Sequence, residues 1–302
     1  MGAGAVRTIL VTGAAGPAGR ALGAQFAERG EELGVRAVGV DAAPRAVRGY
    51  GVVEPAPYAA DPAYESGMRA LVERYEPDLV IPTVSDELVR IAHLGESLGL
   101  GRRLVLSGAG PTAVAGDKLL SMWSLARHGV AIPASAGAEA FPDAAAAIAW
   151  AGGPVVVKPR VLRGGRGVHV VHDPTDPVWG GLDAAWVVQA FAPRTEYSPQ
   201  VYRSPDTGES VVVVLQKTAL EHGEVGNATG AERLPVGAAA AADIADLATR
   251  TVEALGLVGP ADMDVRRLPD GSPVVLEVNA RFGALSASAP ELLEAVLARW
   301  RG

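Results

Sequence analysis

At 302 residues, almost half of them apolar and a fifth charged, the chain can bury a sizeable core and divide into two or three subdomains. A formal charge of −7 argues against a nucleic-acid footprint or an anionic membrane surface, and the absence of cysteine excludes disulfides, thiol catalysis and thiolate zinc sites. No apolar run reaches the roughly 18–20 residues of a membrane span and the start lacks a signal-peptide pattern, so the expected compartment is the cytoplasm.

The N-terminal third alternates strands with helices. Residues 6–12 form an apolar run ending at Gly13-Ala-Ala-Gly16-Pro-Ala-Gly19, and helical spacing follows to Arg29, with Leu22 and Phe26 on one face. Further strands are expected at Val35–Val40, before Asp41; at Leu79–Ile81, before Pro82-Thr-Val-Ser-Asp-Glu87; and at Leu104–Leu106. Such alternation implies a parallel, doubly wound sheet, whose ligands gather beyond the carboxyl ends of the strands. That puts the glycine turn, Asp41 and Thr83–Glu87 on one rim. Gly13-x-x-Gly16-x-x-Gly19 followed by Asp41 suggests a dinucleotide fingerprint. The turn resembles that of short-chain dehydrogenases, but no tyrosine has the lysine four residues on that their chemistry requires. Close packing of helix on strand is a sufficient alternative reason for the glycines. Thr83, Ser85, Asp86 and Glu87 are candidates for binding a substrate amine, with capping of the next helix by Ser85 or Asp86 as the alternative.

Gly108-Ala-Gly-Pro111 marks a joint. Asp117-Lys118 opens a helix through Arg127, and Ala144–Ala151 is a second, alanine-rich helix. Val155-Val-Val-Lys158-Pro159 is a strand closing on a lysine, followed by the loop Arg160–Gly167 and a strand over 168–171. Glycine backbone that can approach closely, at Gly164, Gly165 and Gly167, suits a polyphosphate when cations surround it. Lys158, Arg160, Arg163 and Arg166 supply them; a mobile basic hairpin without a ligand is the alternative. Strands are expected at Trp186–Phe191, Glu196–Tyr202 and Ser210–Gln216. Thr218–Leu234, with three glycines, reads as a long irregular loop, in which His222 is the one histidine worth testing. Ala238–Gly256 is one helix.

Asp262–Arg281 reads as a hairpin about Asp270-Gly271. In that register Asp264 faces Glu277 and Asp262 faces Asn279, all on one sheet face, while Met263, Val265, Leu276 and Val278 form the core face. Three carboxylates and an amide crowded together call for a cation, and oxygen ligands suit Mg²⁺.

In fixed order, Asp117-Lys118, Val155-Val-Val-Lys158-Pro159, Gly164-Gly-Arg-Gly167, Gln189-Ala-Phe191 with Glu196, and Asp264…Glu277-Val-Asn279-Ala-Arg281 resemble the ATP-grasp superfamily, on its carbamoyl-phosphate-synthetase-like side. The likeness covers essentially the whole chain. It implies an α/β protein: a Rossmann-like domain over 1–107, then an ATP-grasp domain over 108–302, whose two α+β subdomains clamp ATP, with a lid at about 119–187. It further implies that Lys118 and Lys158 contact the ATP phosphates, that Gly164, Gly165, Arg166 and Gly167 close over them, and that Gln189 and Phe191 meet the adenine with Glu196 on the ribose. Asp264, Glu277 and Asn279 would hold two Mg²⁺ ions, for which Mn²⁺ can substitute, and Arg281 would stabilise the transferring phosphoryl group. The implied partners are a small-molecule carboxylate and an amine, without nucleic acid or membrane, and a homodimer stays open. The implied reaction joins carboxylate to amine through an acyl phosphate, releasing ADP and phosphate. A carbamoyl-phosphate-type or cyclising ligase, a silent nucleotide-binding module and a dehydrogenase are the alternatives. Three positions depart from the pattern. Ala280 replaces the usual proline of Asn-Pro-Arg, Gln189 replaces a commoner glutamate, and Asp262 stands where some related ligases place a base. Asp262 thus points either to a cationic substrate group or to a supporting carboxylate.

Overall fold

The computed structural model describes residues 6–162, 164–221, 223–235 and 237–300; Arg163 and His222 lie outside them. Its first unit contains β1 (Arg7–Thr12), α1 (Pro17–Arg29), β2 (Val35–Asp41), β3 (Val52–Pro55), α2 (Tyr64–Tyr75), β4 (Leu79–Ile81) and α3 (Leu88–Leu94). The four strands form a parallel sheet in the order β3-β2-β1-β4. Because side chains alternate across a strand, Ile9 and Val11 pack on Leu22 and Phe26 of α1, whereas Leu10 and Val40 pack on Met68 of α2 and Ile91 of α3.

Next come α4 (Ala109–Gly116), α5 (Lys118–Arg127), β5 (Ser135–Gly137), α6 (Ala144–Ala151), β6 (Val155–Pro159), β7 (His169–Val171) and β8 (Trp186–Ala190). Asp117 caps α5, accepting from the Leu119 and Leu120 amides at 2.9 and 3.2 Å. The strands make a small antiparallel sheet, β5-β8-β6-β7, covered by α6. The chain continues through β9 (Glu196–Arg203), β10 (Ser210–Leu220), β11 (Ala228–Arg233), α7 (Ala239–Ala254), β12 (Gly259–Arg267), β13 (Pro273–Asn279) and α8 (Pro290–Arg299). These five strands form the antiparallel sheet β11-β10-β9-β12-β13. One face buries Met263, Val265, Val275 and Val278 against Met122 and Leu125 of α5 and Ile244 and Leu247 of α7. Leu292, Leu293 and Val296 of α8 share a core with the first sheet and with Tyr202 and Val213 of the third. The C-terminal helix therefore fixes the rim of the first sheet beside the third.

Four sequence expectations are corrected. Leu104–Leu106 joins the first sheet only through a single bridge from Leu104 to Val80, and the fourth strand is instead β3, an exposed edge segment ending in proline. Residues 218–234 are not one irregular loop. β10 runs on to Leu220 and pairs with β11, with register shifts at Lys217–Leu220 that masked the alternation. The 262–281 hairpin turns through the three residues between Leu268 and Ser272, with Gly271 at φ +90°, so its pairing starts one residue out of the expected register. A bulge at Leu276 restores it, leaving Asp264 opposite Glu277 and Asp262 opposite Asn279 as expected. The fourth correction follows: Val275 enters the core, and Leu276 faces the cleft instead.

The glycines of the first turn have a packing role. A Cβ on Gly19 would stand 2.2 Å from the Gly13 carbonyl oxygen and 2.6 Å from the Ala14 Cα, and Gly13 itself has φ +61°. Asp41 accepts from the Ala15 amide at 2.9 Å, tying the turn to β2. Gly19→Ala should therefore lower unfolding stability by about 1–3 kcal/mol. Gly110→Ala, in open space, should change it by less than about 1 kcal/mol, both measured by urea unfolding.

Candidate active site

The face of the third sheet turned away from α5 and α7 floors a cleft of about 570 Å³, a size suited to a small-molecule ligand. Alternation places Glu196 and Ser198 of β9, Asp262, Asp264 and Arg266 of β12, and Glu277 and Asn279 of β13 on this floor, with Lys217 from β10 and Arg281 just past β13. The acids and bases interleave. Lys217 Nζ donates to Asp264 at 2.7 Å and to Glu196; Arg266 Nε donates to the other Glu196 oxygen at 2.6 Å. Lys118 Nζ lies 3.4 Å from Glu277, and Arg281 Nη1 lies 3.2 Å from Asp262. Burial pushes the Asp264 carboxyl up, but Lys217, Lys158 and Arg281 outweigh it and hold Asp264 below the ordinary carboxylate range. Burial likewise opposes the charge on Lys217, yet Asp264 and Glu196 raise its pKa above the usual value.

The second sheet faces this floor. Lys158 and Gln189 project from β6 and β8; Lys158 Nζ donates to Gln189 Oε1 at 3.0 Å and to the Leu276 carbonyl at 2.9 Å, an oxygen on the bulge residue. Lys158 is almost fully buried, and burial lowers its pKa to about 8; Glu277 opposes that shift and Lys118 adds to it. Gly164, Gly165 and Arg166 line the cleft, while Gly167 packs against Pro159 and Trp186. Lys118 borders the cleft through Glu277 and donates to the Leu162 carbonyl at 2.5 Å. Arg160 leaves the expected cationic group, since its Nη2 bonds Asp117 at 2.7 Å. Phe191 lines the cleft beneath the Arg266 guanidinium, 5.4 Å from the ring centre.

Across the cleft stands the rim of the first sheet, with Pro17 and Ala18 of α1, Thr83 and Ser85. Asp86 and Glu87 are not among the lining residues. Glu87 turns into the core, where it accepts from Thr12 and, at 2.8 Å, from Tyr64; burial raises its pKa. The expected amine-binding group is thus split, with its hydroxyls on the cleft and Glu87 beneath them.

The metal-ligand candidates are two carboxylates and one amide. Among the described residues no group of three His, Cys, Asp or Glu gathers as a metal site, here or elsewhere. Mg²⁺ commonly takes one or two carboxylates and completes its shell with phosphate oxygens and water, so oxygen donors facing buried lysines across a cleft fit it. Lys217 and Arg266 are absent from the residues that the sequence pattern singles out. Ending β10 at Gln216 hides Lys217, whereas following the alternation from Asp262 through Asp264 would reach Arg266.

The sequence model of the ATP-grasp domain matches residues 115–285, and the chain belongs to that family. It is 32% identical over 211 residues to a D-alanine–D-alanine ligase of Gloeobacter violaceus, covering 63% of this chain and 67% of that protein. The chain thus spans about two thirds of that curated relative. Its fold resembles an L-amino acid ligase from Bacillus licheniformis (TM-score 0.69, 20% identity, 93% of this chain and 68% of that one). It also resembles an N5-carboxyaminoimidazole synthetase from Staphylococcus aureus complexed with ADP (TM-score 0.75, 15% identity, 99% and 78%). Among the described residues, no helix is long and apolar enough to cross a membrane.

The depressed pKa of Lys158 sets a pH dependence. Its ammonium is charged below about 8 and loses its proton above that value, so a polyphosphate bound at higher pH must bring a proton with it. Mg·ATP affinity should fall as pH rises from 8 to 9.5, and calorimetry in buffers of different ionisation enthalpy should show proton uptake. Gln189→Glu would set a carboxylate against the ammonium, raise its pKa and move the fall to higher pH.

Proposed function

We propose that this protein is an ATP- and Mg²⁺-dependent ligase that joins a carboxylate to an amine through an acyl phosphate, releasing ADP and phosphate. The observation that carries the reading is one cleft in which Asp264, Glu277 and Asn279 stand opposite Lys158 and beside Lys217 and Arg281. A carboxylate acylates amines poorly until one of its oxygens carries a phosphoryl group. Phosphoryl transfer needs alignment and charge neutralisation rather than a protein nucleophile, and this cleft is rich in fixed charge. The names of the D-alanine–D-alanine and L-amino acid ligases favour an amino acid as substrate.

In this reading residues 1–107 form the Rossmann-like domain and 108–302 the ATP-grasp domain, with a lid at about 119–187. Lys118, Lys158 and Lys217 hold the ATP phosphates, and Gly164, Gly165, Arg166 and Gly167 close over them and exclude water from the acyl phosphate. Gln189 and Phe191 border the adenine. Glu196 serves the ribose side, oriented by Lys217 and Arg266. Asp264, Glu277 and Asn279 would hold two Mg²⁺ ions, replaceable by Mn²⁺, which would supply charge neutralisation to the phosphates. The substrate carboxylate oxygen attacks the γ-phosphorus as the bond to the ADP oxygen breaks, and Arg281 meets the charge on the transferring group. The amine then attacks the acyl carbon, phosphate leaves with the bonding electrons, and the ammonium proton passes to solvent or phosphate. Thr83 and Ser85 face the acceptor; the setting is cytoplasmic, and the partners are small molecules.

A screen of pooled amino acids for ADP release should show turnover that depends on an added carboxylate. Glu277→Gln should lower it by roughly 10²–10³-fold, the scale of losing one charge-stabilising group. Turnover that ignores the added carboxylate, or that survives in Glu277→Gln, would remove the proposal.

A further inference from the structure

Asp262 is the residue for which the sequence left two roles open, and its contacts separate them. Its Oδ1 accepts from Ser198 Oγ at 2.8 Å and from Gln200 Nε2 at 2.6 Å; its Oδ2 accepts from Arg281 Nη1 at 3.2 Å. Three of the roughly four acceptor positions of a carboxylate are thereby taken, which leaves it poorly placed to receive a substrate ammonium. Arg281 is held on one side only. Nη1 also donates to the Phe282 carbonyl at 3.0 Å, and among the described residues Nε and Nη2 have no protein partner. The free edge, Nε with Nη2, is the one that grips a tetrahedral oxyanion with two parallel hydrogen bonds.

We propose that Asp262 is a positioning residue for the reaction: it clamps Nη1 so that the other edge of Arg281 faces the phosphoryl group in flight. The inference rests on the ligase reading above. Two further features support it. Gly283 passes so close that a Cβ there would lie 2.6 Å from the Asp262 Cγ, so the backbone closes off that side of the carboxylate. Gln200 is fully buried and spends its amide nitrogen on Asp262 and Ser198, while its Oε1 finds no partner among the described residues. A half-satisfied buried amide costs stability; holding Asp262 is what it gains in exchange.

The test needs no knowledge of the amino-acid substrate. Mg·ADP with aluminium fluoride mimics the phosphoryl group in transfer, and calorimetry compares its affinity with that of Mg·ADP alone. In the wild type, fluoride should tighten binding. Asp262→Asn, which keeps the shape and the Ser198 and Gln200 bonds, should lose at least tenfold of that tightening while leaving Mg·ADP affinity unchanged. Gly283→Ala, which keeps the charge but displaces the carboxylate, should lose it as well. Asp262→Asn combined with Arg281→Lys should be no worse than Arg281→Lys alone, because both act on one contact. Tightening that persists in Asp262→Asn, or additive losses in the double variant, would each overturn the clamp and leave the ligase reading standing. A wild type that does not tighten would overturn both.

Discussion

Carboxylates crowded on one sheet face can stay ionised in a half-buried cleft only when cations are threaded between them. Every acid on this floor has such a partner: Asp264 has Lys217, Glu196 has Lys217 and Arg266, Glu277 has Lys118, and Asp262 has Arg281. The partners come from separate parts of the chain. Lys118 opens α5, Lys217 lies near the end of β10, and Arg281 follows β13. Fold and site are thus one electrostatic problem, solved by bringing these segments onto one face.

The same threading explains how the cleft changes character along its length. Near Lys158, Gly164 and Gly165, positive charge faces the floor from the second sheet, and a polyphosphate would supply the missing negative charge. At the other end, the hydroxyls of Thr83 and Ser85 and the first turn of α1 face an acid–base pair that is already neutral, Asp262 with Arg281. The bulge at Leu276 sets Asp264 and Glu277 in register and offers its carbonyl to Lys158.

Much of this architecture is legible in the order of amino acids alone. The limits of α5, α6 and β6 follow from an N-cap aspartate, an alanine run and a valine run, each a local signal. Contacts between side chains of different strands are harder to read. The expected register at Asp264 and Glu277 holds, although the turn is longer than the Asp-Gly pair suggests, because the bulge compensates for it. Glu87 looks like a rim residue from its place after β4, yet it points inward, since the short turn after that strand rotates its side chain onto Thr12 and Tyr64.

The sequence by itself determined the residue types and their order: the glycines that a turn requires, the lysine that closes β6, and the alternation that sets Asp262, Asp264, Glu277 and Asn279 on a common face. Those are properties of neighbours along the chain, and periodicity reports them. Only the tertiary structure decided which charge neutralises which. The pairing of Lys217 with Asp264, of Arg266 with Glu196 and of Asp262 with Arg281 depends on strand order and on a one-residue bulge, and a shift of one residue turns a side chain to the opposite face.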